Sequence, residues 1–124
     1  MGYKKSFSEV DSKYWGEYKV RMSKAQGVEE VKKIFSMVVA EMVKEIEPNL
    51  DPVYGEFSGD FEIDINSEVK YKVASKIADD SVYKELVENS DLPAILEKYA
   101  EMAVNKKTHL LSKEGTENGK KIIH

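Results

Sequence analysis

Two short runs of alternating apolar and charged residues, 61–65 and 69–73, constrain the fold of this chain most strongly. Phe, Ile, Val and Tyr occupy the odd positions of both runs, and the same pattern begins as early as Phe57. Acidic residues fill the even positions of the first run, and lysines fill those of the second. Alternation with period two is typical of a strand that buries one face. A polar connector over residues 66–68 has the length of a hairpin loop, so the sequence predicts an antiparallel hairpin.

One pairing register satisfies both faces of this hairpin, because it places apolar residues opposite apolar residues and acids opposite lysines. The pairs in that register are Ile65–Val69, Ile63–Tyr71, Phe61–Val73, Asp64–Lys70 and Glu62–Lys72. A slip of one residue would turn every side chain to the opposite face, so the register is well specified. The alternative is a helix that begins at Ser67 and buries Val69, Val73 and Ile77, but it leaves the first run unexplained.

A helix is predicted over residues 28–47, where apolar residues recur at the three- and four-residue spacing of one helical face. Pro48 follows and would end it. Later in the chain, Asp80 or Ser81 is placed to cap a short helix, and Pro93 fits the first turn of another. From about residue 112 the sequence is polar and contains glycine, which predicts a mobile tail.

Residues 6–23 fit two patterns. A helix would place five residues on one stripe: Phe7, Val10, Tyr14, Tyr18 and Met22. A strand over residues 14–22 would instead alternate apolar and polar residues, and Gly16 would cost a helix interior about 1 kcal/mol. The composition from Tyr14 onward favours the strand, so we expect a helical turn followed by a strand over residues 14–22.

These elements predict one α+β domain over residues 1–124, with a small antiparallel sheet and helices packed on one face. A ferredoxin-like, split βαβ arrangement is the specific expectation. An all-α bundle with one hairpin is the alternative.

The composition excludes several function classes. The chain has 124 residues and no cysteine, so disulfides, thiolate nucleophiles and cysteine metal sites are ruled out. No apolar run approaches the roughly 20 residues of a membrane span, so no membrane partner is predicted and the cytoplasm is the expected location. The formal net charge is −4, with an acidic centre between two basic ends, which argues against a nucleic-acid partner.

No motif for catalysis, cofactor binding or metal binding is complete, so no residue is assigned to any of these roles. The acidic run from Asp60 resembles a calcium-binding loop, but Ile65 and Tyr71 stand where that loop needs Gly and Glu. His109 lies near the predicted end of the last helix, where the helix dipole favours it without any catalytic role. The sequence therefore disfavours an enzyme without excluding one.

The sequence favours a non-enzymatic interaction or regulatory module that binds a protein partner or itself as a homo-oligomer, through a sheet edge or exposed aromatic residues. The candidate interaction surface consists of Trp15, Tyr54 and Tyr18. One alternative is a nucleic-acid binder that uses a basic patch, with Lys19, Arg21, Lys106 and Lys107 as its candidates. The other is a small enzyme that uses carboxylates together with His109.

Overall fold

The computed structural model describes residues 5–54 and 59–123, with side chains described up to residue 112. Phe57 lies outside these ranges. The described residues form five helices and a two-stranded antiparallel sheet, which confirms the α+β class. In chain order the elements are α1 (Ser8–Lys24), α2 (Val28–Ile46), β1 (Phe61–Ile63), β2 (Tyr71–Val73), α3 (Ser75–Ala78), α4 (Ser81–Asn89) and α5 (Leu92–Ile123).

Helix α2 is the centre of the domain, and its prediction over residues 28–47 is confirmed. It contacts α1, α5 and β1, and it therefore buries residues on more than one face. Its backbone leaves the helical conformation at Glu47, the residue before Pro48, as expected because proline disfavours the helical conformation in its predecessor. The buried residues of α2 are Val31, Ile34, Phe35, Ser36, Val38, Val39, Ala40, Met42 and Val43.

The strand predicted over residues 14–22 is wrong, because this segment belongs to helix α1. Tyr18 and Met22 are buried and Tyr14 is half-buried, so the four-residue spacing decides the structure. Gly16 is exposed, and a Cβ atom there would meet nothing within 4 Å. The helix-propensity penalty of Gly16, about 1 kcal/mol, therefore adds no steric or packing cost, and packing of the buried residues of α1 offsets it.

Contacts between side chains fix the directions of the three long helices. Lys98 on α5 forms an ion pair with Asp11 at 2.6 Å, and Lys106 Nζ donates to the Ser23 carbonyl at 3.2 Å. Later residues of α5 thus meet later residues of α1, so the two helices run parallel. Lys13, early in α1, pairs at 2.9 Å with Glu45, late in α2, so α2 runs antiparallel to both.

The predicted hairpin register is confirmed over the three pairs Phe61–Val73, Glu62–Lys72 and Ile63–Tyr71. The predicted pairing of Ile65 with Val69 is wrong, because the connection occupies residues 64–70 and its turn includes Lys70 at a φ of 72°. The last ladder contact is the Asp64 N–H, which donates to the Lys70 carbonyl at 2.8 Å. The helices α2 and α5 contact this sheet, and the side chains of Phe61 and Ile63 on its inner face are buried.

The more specific ferredoxin-like arrangement is not confirmed, because the sheet within the described ranges has two strands and residues 14–22 are helical. The capping of α4 is confirmed, since the Asp80 side chain accepts from the Val82 N–H at 2.8 Å. Pro93 stands in the first turn of α5, as expected. Helix α5 continues to Ile123, and mobility of the segment from about residue 112 stays a prediction. In the described part of the chain, no helix combines the length and apolarity needed to cross a membrane.

Candidate functional site

Along each strand of the hairpin, the main-chain N–H and C=O groups of successive residues point alternately toward the partner strand and away from it. Even-numbered residues carry the ladder, because Asp64 donates to Lys70 and Ala74 donates to the Asp60 carbonyl at 2.8 Å. In an antiparallel pair, hydrogen-bonded and non-hydrogen-bonded residue pairs alternate along the strands. The N–H and C=O groups of the odd-numbered strand residues therefore point away from the partner strand.

The outer edge of β1 is covered by other parts of the chain. The buried Ser36 hydroxyl, on α2, donates to the Phe61 carbonyl at 2.5 Å. Just before β1, the Asp60 N–H donates to the Val53 carbonyl at 2.9 Å, and Asp60 Oδ2 accepts from the Val53 N–H at 2.9 Å. Tyr54 forms an isolated antiparallel bridge with Gly59 at the same edge. These contacts leave little of β1 available to another strand.

The outer edge of β2 is open by comparison. Within the ranges the structure describes, no hydrogen bond reaches the main-chain N–H or C=O groups of Tyr71 and Val73, and no third strand lies beside them. The intervening Lys72 presents its side chain, which is 62% exposed, on the solvent face of the sheet. Unpaired N–H and C=O groups on an edge strand are a template for pairing with another extended segment.

Two exposed apolar side chains lie in the connection between the strands. In the connection that leads into β2, Ile65 is 50% exposed and Val69 is 38% exposed. Single exposed apolar residues are normal on protein surfaces, but these two belong to the turn that precedes β2. They present exposed apolar area in the turn that adjoins β2.

Aromatic residues pack on the buried face of β2. Tyr71 is buried, and its hydroxyl lies next to that of Tyr83 on α4. The Tyr83 ring in turn packs edge-to-face on Phe61 at 6.1 Å between centroids. Burial raises the pKa of Tyr71, with the charge of Glu97 adding to the rise, and burial also raises the pKa of Tyr83. The two buried side chains therefore pack the buried face of β2 next to α4.

The three aromatic residues predicted to form an interaction surface lie in different environments. Tyr18 is 0% exposed, and its hydroxyl donates to the Tyr99 carbonyl at 2.7 Å, so it belongs to the core. Trp15 is half-buried, with its ring 4.9 Å from that of Tyr99 and the Lys98 ammonium 4.2 Å from its centroid. Tyr54 is 42% exposed, so it is the member of the set best presented to a partner.

The structure brings part of the predicted basic patch together. The bond from Lys106 to the Ser23 carbonyl places this lysine at the C-terminal end of α1, the helix that also carries Lys19 and Arg21. Arg21 lies 3.6 Å from Glu17, and Lys19 lies 5.8 Å from the centroid of the Trp15 ring. The patch is therefore partly neutralised by an acid on its own helix.

The residues proposed for acid–base chemistry do not form a site within the described ranges. His109 is exposed on α5, and no hydrogen bond there joins it to a carboxylate. Over those same ranges, no three His, Cys, Asp or Glu side chains are grouped to hold a metal ion. The enzyme hypothesis gains no support from this arrangement.

Sequence reasoning predicted a sheet edge but missed Ser36, the residue that distinguishes the two edges. A serine within the apolar face of α2 is the signal that was available, because a buried hydroxyl needs a hydrogen-bond partner. Here the partner is a main-chain carbonyl of β1. Its distance in sequence, 25 residues away, made the identity of that partner unpredictable.

Comparisons with known proteins add no assignment to this site. No known protein family matches the chain. No curated protein matches it, and no solved structure matches it either.

Proposed function

We propose that this protein is a non-enzymatic interaction module that binds an extended segment of a partner protein along the outer edge of β2. The observation that carries the proposal is the set of outward N–H and C=O groups on Tyr71 and Val73. Addition of a strand to an exposed sheet edge is a recurrent mode of peptide recognition, in which main-chain hydrogen bonds supply affinity.

The anchoring of β2 supports this proposal. Because β2 is paired with β1 and Tyr71 is buried beside Tyr83, the strand is already extended before a partner arrives, and less conformational entropy is lost on binding. Two outward residues provide up to four hydrogen bonds, each worth about 0.5–1.5 kcal/mol net. Contacts with Ile65 and Val69 add apolar area. An interface of this size is expected to be weak and transient.

The test uses Val73→Pro with Val73→Ala as its matched control. Both variants lose the valine side chain, but only proline removes the outward N–H, and proline is tolerated at such an edge position. Peptides that bind the wild-type chain would be selected from a random library, and their affinities for both variants measured by fluorescence anisotropy. We expect Val73→Ala to retain binding and Val73→Pro to lose it.

Two results would contradict the proposal. One is a library that yields no binder, and the other is a set of binders with equal affinity for both variants. A second copy of the chain is the other conceivable occupant of the edge, and light scattering across a concentration series measures it. Dimers that Val73→Pro abolishes would identify the occupant as β2 of another copy.

Nucleic-acid binding is the second candidate function, and the contact between Lys106 and the Ser23 carbonyl favours it because it places a lysine of α5 at the end of α1, the helix that carries Lys19 and Arg21. Such binding would weaken steeply as salt rises, since each neutralised phosphate releases counterions. Replacement of Lys106 and Lys107 by glutamine should then lower affinity for RNA or DNA and reduce the salt slope. Absence of binding at low salt would remove this candidate.

A further inference from the structure

The solvent face of the sheet is divided by charge between its two strands. Glu62, on β1, forms an ion pair with Lys72, on β2, at 3.6 Å. Glu62 thus lies on the strand of the covered edge, and Lys72 lies on the strand of the open edge. A strand added to β2 would therefore meet the Lys72 side chain on its solvent face.

We infer that the segment bound by β2 is an extended acidic strand, with an Asp or Glu side chain opposite Lys72 and apolar residues on either side. This inference rests on the proposed function. It follows from the alternation of hydrogen-bonded and non-hydrogen-bonded pairs along a strand. A partner strand bonded to Tyr71 and Val73 forms a non-hydrogen-bonded pair with Lys72. Side chains approach most closely in pairs of that kind. β1, which already places Glu62 beside Lys72, has the chemistry that such a partner needs.

The same alternation disfavours a second copy of the chain in the two antiparallel registers that use the outward groups of Tyr71. In an antiparallel pairing that bonds Tyr71 of one copy to Val73 of the other, the two Lys72 residues lie directly opposite each other. A shift that bonds Tyr71 to Tyr71 instead places Lys70 opposite Lys72 on both sides of the axis. Like charges directly opposite each other destabilise a strand pair.

Pairing of β2 with β1 of another copy would satisfy the charges but not the geometry. The outward carbonyl of Phe61 already accepts the Ser36 hydroxyl. The chain just before β1 is joined to Val53 by two hydrogen bonds through Asp60. An acidic strand from a different protein, free of such contacts, is the occupant that fits.

The experiment compares three synthetic peptides of alternating Val and Thr that differ at one central residue, which is Glu, Gln or Lys. Anisotropy titrations at low salt measure their affinities for the wild-type chain. We expect affinity to decrease in the order Glu, Gln, Lys. The Glu peptide should bind roughly two- to tenfold more tightly than the Lys peptide, because one exposed charge pair changes from attraction to repulsion. The order should weaken at high salt.

Lys72→Gln provides the decisive comparison, with Lys19→Gln on α1 as a control for the loss of one exposed positive charge. The order should disappear in Lys72→Gln and persist in Lys19→Gln. Equal affinity of all three peptides for the wild-type chain, or an order that survives Lys72→Gln, would overturn the inference while leaving strand addition intact. If none of the peptides loses affinity for Val73→Pro relative to Val73→Ala, the proposed function fails instead.

Discussion

Proline should destabilise the protein far more at Lys72 than at Val73, although the two positions are adjacent in β2. The N–H of Lys72 belongs to the ladder with Glu62, whereas the N–H of Val73 points outward. Lys72→Pro therefore removes a hydrogen bond inside the sheet and leaves the Glu62 carbonyl without its donor. Val73→Pro removes an N–H with no partner among the described residues, so the ladder survives.

The size of the difference follows from the hydrogen bond that each proline removes or spares. Loss of the ladder bond with an unsatisfied carbonyl left behind costs about 1–3 kcal/mol. Proline at the outward position loses no bond, and its restriction of the unfolded chain offsets some of any strain by about 0.4–1 kcal/mol. Subtracting the matching alanine variants removes the side-chain contributions. The proline penalty at Lys72 should then exceed that at Val73 by roughly 1–3 kcal/mol, a large share of the 5–15 kcal/mol that stabilises a typical domain.

Urea denaturation followed by circular dichroism measures this difference in the four variants. We expect Lys72→Pro to unfold at clearly lower urea than Lys72→Ala, and Val73→Pro to unfold close to Val73→Ala. Equal proline penalties at the two positions, or a larger penalty at Val73, would refute the assignment of the Lys72 N–H to the ladder and of the Val73 N–H to the open edge.

Three further predictions concern the supports of the sheet and the helix interface. Ser36→Ala leaves the buried Phe61 carbonyl without its donor and should lower the free energy of unfolding by about 1–3 kcal/mol in urea denaturation. Lys98→Gln removes an ion pair with Asp11 and a cation 4.2 Å from the Trp15 ring centroid, so it should cost about 1 kcal/mol and alter Trp15 fluorescence. Burial and the Glu45 hydrogen bond raise the pKa of Tyr14 to about 12, and burial followed by the Asp11 hydrogen bond raises the pKa of Tyr99. Since the neutral phenols are favoured in the fold, their stabilisation is present below pH about 10 and is lost as the pH rises toward 12, which absorbance at 295 nm and circular dichroism would follow together.

The hairpin register was predictable because local sequence carries all of its determinants. Apolar residues and opposite charges select the same pairing, so two independent criteria agree. Ile65 and Val69 continue the alternation in sequence, yet the chain turns at residues 64–70 and leaves both exposed. The alternating pattern therefore overstated the length of the ladder.

Helix α1 was not predictable in the same way, since Tyr14, Tyr18 and Met22 satisfy both a strand and a helix. The β-forming composition and Gly16 favoured the strand locally. Packing of Tyr18 against Tyr99, with 4.6 Å between ring centroids, belongs to the tertiary structure and overrides that preference.

The sequence predicted that the candidate site is a sheet edge, but not which of the two edges is open. Sequence alternation indicates a hairpin with two edges, but it carries no information on which edge the rest of the chain covers. Ser36 and Val53 cover β1 through contacts that depend on the position of α2 and of the preceding loop. Identification of β2 as the open edge therefore required coordinates.

Hydrogen exchange of the amides in β2, measured by NMR, tests the central claim most directly. In the free protein we expect slow exchange at Lys72, whose N–H lies in the ladder, and fast exchange at Val73, whose N–H points outward. The acidic peptide should slow exchange at Val73 and leave the exchange at Lys72 almost unchanged. Slow exchange at Val73 in the free protein, or no change on addition of a peptide that binds, would contradict the account.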